Sequence, residues 1–273
     1  MKLVAIHQPN WLPWPGYFLK MAVADVFVFY DNCPLNREGY SRRVRIEAGD
    51  GSLQWLSLRL PGLRNGTAID EVALDLRPQA RKHLLNRLRE AYGRLPHGPS
   101  ELERLGQLLE QAAGRSNLTL ATLNKHVLRD WAERLCPRVE LVAASTLGAY
   151  QPGPEGLAGL FQASCAAGSG YGPAAARCRY LSGKGGRAYL NPEAPGSAWQ
   201  RLSVSFIDAG AVLEDVISAQ DWGGDSGLDA PLKTLVQTST FGLLSRYGAT
   251  RVRDLLTSTS QDLRRTTLER IHS

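Results

Sequence analysis

KLVAIHQPNWLPWPGYFLKMAVADVFVFYD, residues 2–31, is the stretch whose reading decides the fold. Residues 2–6 alternate and carry β-branched side chains, which predicts a strand ending at His7. From Pro9 to Gly16 three prolines and a glycine forbid regular structure, so this segment is a loop. Tyr17 to Ala24 reads as a short helix with Phe18, Met21 and Ala22 turned inward. Val26-Phe27-Val28-Phe29-Tyr30 is a continuous apolar run, as a strand covered on both faces requires, and it stops at Asp31-Asn32. Strand, loop, helix and strand in about thirty residues make a βαβ unit. The expectation is an α/β protein with a mainly parallel sheet, opened by this unit and followed by a helical C-terminal part.

Further along, Arg43 to Ile46 and Gln54 to Leu60 read as a hairpin about Asp50-Gly51. Pro78 opens a helix that runs to Tyr92 and closes at Gly93. Leu102, Leu105, Leu109 and Ala112 mark a second helix, and Thr119 to Leu135 a third, with Pro137 beyond its end. Val139 to Val142 is a strand. Residues 151–195 are rich in glycine, alanine and proline, and read as loops and short helices that could cover a site. Leu202 to Phe206 alternates like an exposed strand, and two helices opening near Pro231 and Val252 finish the chain. At 273 residues this amounts to one domain, with 151–195 as a cover region inside it.

Composition narrows the class. Hydrophobic residues make up 43% and charged residues 21%, the balance of a globular protein. No apolar run reaches the roughly 18 residues that span a bilayer. The N-terminal stretch is too short and too soon polar for a signal peptide, so no membrane insertion and a cytoplasmic location are expected. Cys33, Cys136, Cys165 and Cys178 form no C-x-x-C pair and no H-E-x-x-H is present, so no metal site of that kind is expected. The net charge of +6 is unevenly placed: Arg37 to Arg45 holds four arginines against one glutamate. Arg77 to Arg94 holds five arginines and a lysine against one glutamate. Both clusters could meet phosphates, of a nucleotide or of a nucleic acid, or could be solvated faces.

In open α/β sheets ligands bind beyond the carboxyl ends of the strands. His7-Gln8-Pro9-Asn10 follows the first strand and Asp31-Asn32 the second, so both open onto one edge. His7 alone there has an ordinary pKa suited to proton transfer near neutrality; otherwise it caps the strand. Trp11 and Trp14, braced by prolines, either stack on a sugar or base or plug the sheet edge. Ser182-Gly183-Lys184-Gly185-Gly186-Arg187, flanked by Tyr180 and Tyr189, lets backbone N–H groups approach a phosphate, although it is not a Walker A sequence. His83 is a lone helical histidine beside Lys82.

The run Ile6 to Phe18 resembles the opening of the WbqC-like protein family. The resemblance continues at Ala24 to Val28 and Asp31, at Ser41 to Ile46, and at Trp55. It resumes at Lys82-His83 with Tyr92, at Leu123-Asn124, and from Arg179 to Leu190. The chain departs at Asn32-Cys33-Pro34, where the family carries a different acidic or aromatic arrangement, and again from Gln200 to Asp208. The resemblance implies work in bacterial surface-polysaccharide (O-antigen) or related biosynthesis: a transferase adding an acyl or aminoacyl group to an amine of a small substrate, such as a nucleotide-linked amino sugar. The donor would be an aminoacyl-tRNA or an acyl thioester. In this scheme His7, Asn10, Asp31 and His83 form the catalytic set, with His7 taking the proton and Asn10, Gln8 or a basic residue facing the oxyanion. Gln8, Trp11, Trp14, Tyr17 and Asn32 would meet substrate, together with Arg42, Arg43, Arg45, Tyr180, Ser182, Lys184 and Arg187. Two alternatives stay open: a magnesium-dependent nucleotidyltransferase-like enzyme, and a non-catalytic carbohydrate- or nucleotide-binding protein.

Overall fold

The computed structural model describes residues 1–48, 50–148, 152–167, 178–194, 196–219 and 237–269. The opening unit forms as its periodicity dictates. Strand β1 (Lys2–His7) is followed by helix α1 (Pro15–Val23) and strand β2 (Val26–Phe29). Helix α1 starts earlier than the apolar pattern suggests because Pro15, with its fixed φ and no N–H to lose, occupies the first helical turn. The hairpin β3 (Arg43–Glu47) and β4 (Leu53–Ser57) comes next, then helices α2 (Pro78–Tyr92), α3 (Gly98–Ala113) and α4 (Leu120–Leu135). Thr119 caps α4 through reciprocal bonds with Thr122, as its place before the apolar stripe suggests.

Strand β5 (Glu140–Ala143) joins the edge of β2. Residues 151–195 depart from expectation, because two regular elements lie inside them. Helix α5 (Pro154–Ala167) packs on the sheet, and β6 (Cys178–Gly183) lies inside it, hydrogen-bonded to β1. Small residues are what hid them: α5 meets the sheet largely through Leu157, Leu160 and Phe161, and its other positions are chiefly Ala, Gly and Ser. A short helix α6 (Arg187–Leu190), edge strand β7 (Val204–Ile207), α7 (Ala209–Ala219) and α8 (Thr240–Glu269) follow. Within α8 Gly248 breaks the helical path at φ 73°, so a helical piece begins before the expected start near Val252. The helix expected near Pro231 lies outside the described residues.

Among the described residues the main sheet is parallel, in the order β5-β2-β1-β6-β7. Leu3 and Ala5 of β1 face a core shared with α1, α4, α7 and α8, while Val4 and Ile6 face α5 and Trp199. Both faces of β1 are therefore covered, which is why its sequence is apolar throughout. The chain runs from β1 outward to β2 and β5, then returns to the other side of β1 as β6. That reversal is a topological switch point, which in open α/β sheets marks the place, at the carboxyl ends of β1 and β6, where a ligand crevice forms.

The loop that leaves β1 is held from four distant parts of the chain. The side-chain nitrogen of buried Asn124, on α4, donates to the carbonyls of Pro9 and Ser41, both at 2.7 Å. Tyr17 donates to the Gln8 carbonyl at 3.1 Å, and the Trp11 N–H donates to the Tyr40 carbonyl at 2.9 Å. From α8 and the residue before it, the Ser239 hydroxyl reaches the Leu12 carbonyl and the Thr240 hydroxyl the Pro13 carbonyl, each at 2.7 Å. Leu12 sits at φ 39°, a conformation a leucine keeps only when its surroundings impose it. Replacing Asn124 by Leu, of similar branching but without donors, strands two buried carbonyls and is expected to lower stability by about 2–4 kcal/mol. Chemical denaturation measures this, and faster amide exchange in residues 8–13 should accompany it. Unchanged stability and exchange would show that the loop is held without Asn124.

Candidate functional site

His7 ends β1 and is half-buried, with its ring 4.8 Å from that of Tyr17 on α1. Its Nδ1 is fully buried without a hydrogen-bond partner. Burial, and secondarily the charge of Lys20, hold its pKa well below the ordinary 6.5. Lys20 lies on α1, buried, and donates to the Ile6 carbonyl at 2.9 Å. Desolvation lowers its pKa to about 7, far below the ordinary value of a lysine. Sequence reasoning missed Lys20, although it was visible as the lone charged residue of an otherwise apolar helix.

Gln8 and Asn10 are tied to one hydroxyl. Ser41 Oγ lies 3.3 Å from Gln8 Oε1 and 3.2 Å from Asn10 Oδ1. Gln8 Nε2 also donates to Cys33 Sγ at 3.2 Å, and burial pushes the Cys33 thiol up to about 11, which leaves it unreactive. Trp11 and Trp14 part company. Trp11 is wholly buried in the core, so neither of its faces is open for stacking. Trp14 is half-buried: its ring lies against Gly16, where an added Cβ would come within 2.0 Å of it, and reaches Gly210 at the start of α7.

The strand ends converge as the register requires. Ala5 pairs with Leu181, so His7 and Gly183 finish β1 and β6 side by side, and Gly183 in turn pairs with Ile207 of β7. Just beyond, Lys184 forms an ion pair with Asp208 at 2.7 Å, both partly open to solvent. Asp208 was another omission, since nothing near it in sequence points to a partner in the glycine loop. Gly183 and Gly185 face open space, whereas a Cβ on Gly186 would come 2.0 Å from Ser182 Oγ. Ser182 is buried, and Tyr180 is buried against Phe161 and Trp199, so Tyr180 belongs to the core beneath the loop. Tyr189 is exposed, and the Arg187 guanidinium lies 4.6 Å from the Phe206 ring centroid.

Other expected members lie apart from this crevice or are already engaged. Asp31 is fully buried, forms an ion pair with Lys125, and accepts from the Ser145 N–H at 2.9 Å and hydroxyl at 2.8 Å. That wiring joins the ends of β2 and β5 and makes Asp31 a positioning group. Asn32 donates to the Gly148 carbonyl at 3.0 Å. His83 is exposed and lines a different cleft, with Ser57, Arg59, Asp75 and Arg77. Arg42 is half-buried and its backbone carbonyl accepts from the Leu58 N–H at 2.9 Å; Arg43 and Arg45 project from the hairpin beside Trp55. The hairpin arginines and Lys184 thus sit on separate elements, and Lys184 is engaged by Asp208. Among the described residues, no group of three or more His, Cys, Asp or Glu side chains could hold a metal ion. Among them, too, no helix is long and apolar enough to cross a membrane.

Comparison with known proteins adds a family and one relative. "Uncharacterized protein Rv1507c" of Mycobacterium tuberculosis (strain ATCC 25618 / H37Rv) is 41% identical over 58 residues, which is 21% of this chain. The match spans 25% of that protein's length. No solved structure matches. The family model of the WbqC-like proteins matches residues 8–209, from the loop that leaves β1 to the start of α7. That match covers most of the chain, and the chain belongs to the WbqC-like protein family.

Proposed function

We propose that this chain is a transferase that acylates an amine of a small anionic substrate at the crevice between β1 and β6. The observation that carries the proposal is His7: a neutral imidazole whose buried Nδ1 has no partner, at the strand end of a switch point. A base must be unprotonated to act, and burial with Lys20 nearby keeps this one so at neutral pH. The amine nitrogen attacks the carbonyl carbon of the donor and forms the C–N bond, and its proton passes to His7. The proton then leaves with the donor's departing oxygen or sulfur as the old acyl bond breaks. Ser41 engages Asn10 Oδ1, which turns the amide nitrogen of Asn10 to the developing oxyanion. Lys184, with the open backbone at Gly183 and Gly185, would take the anionic group of a nucleotide-linked amino sugar, and Trp14 would meet the sugar. Asp31 and Asn124 hold the two sides of the site in register.

Two measurements test this reading, with an aminoacyl-tRNA or acyl thioester as donor and an amino-sugar nucleotide as acceptor. His7→Gln should lower kcat by roughly 10²–10⁴-fold with a much smaller change in KM. Trp14→Ala should mainly raise KM, because stacking serves ground and transition states alike. A folded His7→Gln protein with near-normal turnover removes His7 from the chemistry. The second measurement is the pH profile of kcat/KM. Its acid limb should lie below the ordinary imidazole value, since burial and Lys20 both disfavour the imidazolium. Lys20→Met removes one of these causes, so the limb should move up toward 6.5 without reaching it, burial being the larger cause. A wild-type limb at 6.5, or one that Lys20→Met leaves in place, argues against His7 as the titrating base.

A further inference from the structure

The β3–β4 hairpin has two unlike faces. Val44, Ile46 and Leu56 point into the core, while Arg43, Arg45 and Trp55 share the outer side of the ladder. There the Arg43 guanidinium carbon lies 4.2 Å from the Trp55 ring centroid, and that of Arg45 lies 5.1 Å from it. The Tyr40 ring sits 5.9 Å from Trp55. Trp55 is 37% exposed and Tyr40 49% exposed, in a chain that buries Trp11, Trp131 and Trp199 completely. Folding gains little from rings left in water, so a stack of guanidinium and aromatic planes on an outer strand face has another use. Opposite Arg43 on the ladder is Ser57, which begins the cleft lined by Arg59, Arg77 and His83. The surface is therefore open, elongated and positive, with Glu38 and Asp75 pairing to Arg43 and Arg77 as its counter-charges.

We infer that this hairpin face binds single-stranded nucleic acid, with bases stacked on the Tyr40–Trp55–arginine platform and phosphates along Arg45 and Arg59. Every base has a π-face, but a duplex hides those faces in its own stack and offers only phosphates, so rings of this kind suit unpaired bases. The platform also adjoins the loop that leaves β1. The Tyr40 carbonyl accepts from the Trp11 N–H at 2.9 Å, and the neighbouring Ser41 hydroxyl touches both Gln8 and Asn10. Single-strand binding names the chemistry of a carrier that the acyl-transfer reading leaves open, yet it stands on its own contacts. A binding assay contains no turnover, so either reading can fail without the other.

The test is fluorescence anisotropy with a short labelled single-stranded RNA, its DNA counterpart, the same RNA as a duplex, and a free mononucleotide. Salt is varied between about 50 and 200 mM. The single strand should bind with a log–log salt slope near −1.4, from about two phosphates at roughly −0.7 each. Trp55→Ala should weaken it roughly 5- to 150-fold, and Trp55→Phe should restore much of the loss. Arg45→Ala should flatten the slope by about 0.7. Tighter binding of RNA than of DNA assigns the site to RNA, and equal binding assigns it to single strands of either sugar. No binding, equal affinity for the duplex or the mononucleotide, or indifference to Trp55→Ala would overturn the inference.

Discussion

The structure turns on a row of backbone carbonyls that runs off the end of β1. Past His7 the chain leaves the sheet, and a buried peptide oxygen without a donor costs as much as a lost hydrogen bond. Here the carbonyls of Ile6, His7, Gln8, Pro9, Leu12 and Pro13 receive Lys20, the Tyr30 N–H, Tyr17, Asn124, Ser239 and Thr240 respectively. Helices α1, α4 and α8 and the strand β2 are thereby drawn to one corner of the sheet. Because the donors come from four separately packed segments, the loop cannot relax without disturbing several of them. Such over-determination is what lets Leu12 keep a left-handed conformation.

The same rigidity shapes the electrostatics. Lys20 spends its buried ammonium on a carbonyl rather than a carboxylate, so its charge is uncompensated and its proton loosely held. Close by, that residual charge acts on an imidazole that burial already keeps neutral. Asp31, two residues past β2, has its oxygens committed to Lys125 and Ser145.

What could be read from the sequence follows the range of the interactions concerned. The βαβ unit was legible because period and punctuation are local, and helix α2 was legible to its ends for the same reason. Strand β6 was not, because glycine and alanine surround it and its neighbour in the sheet is β1, far earlier in the chain. Trp11 and Trp14 share a proline-rich setting, and only the folded packing separates the core ring from the one at the edge. Asp31 looked free because Lys125 is 94 residues away, and Lys184 looked free because Asp208 lies on another strand's end. The parallel sheet and its carboxyl edge were inferable; that β6 and β7 lie beside β1 at that edge, and the partners that engage Asp31 and Lys184, were not.

The bonds from Ser239 to Leu12 and from Thr240 to Pro13 each join residues 227 positions apart. On the ribosome the first strand and its loop emerge long before these closing groups exist. At about 5–20 residues per second, that interval is roughly 10–50 s. During it, the tryptophans of the loop and the apolar strands β1 and β2 lack the helix that seals them, and for most of it the neighbouring strand β6 as well. Contacts of such long range also make for slow folding, since loop-closure entropy must be met before they form. The segment that gives this protein its most distinctive sequence is therefore among the last to be secured. A nascent chain would expose it as a sticky, unpaired strand edge, a natural target for chaperones.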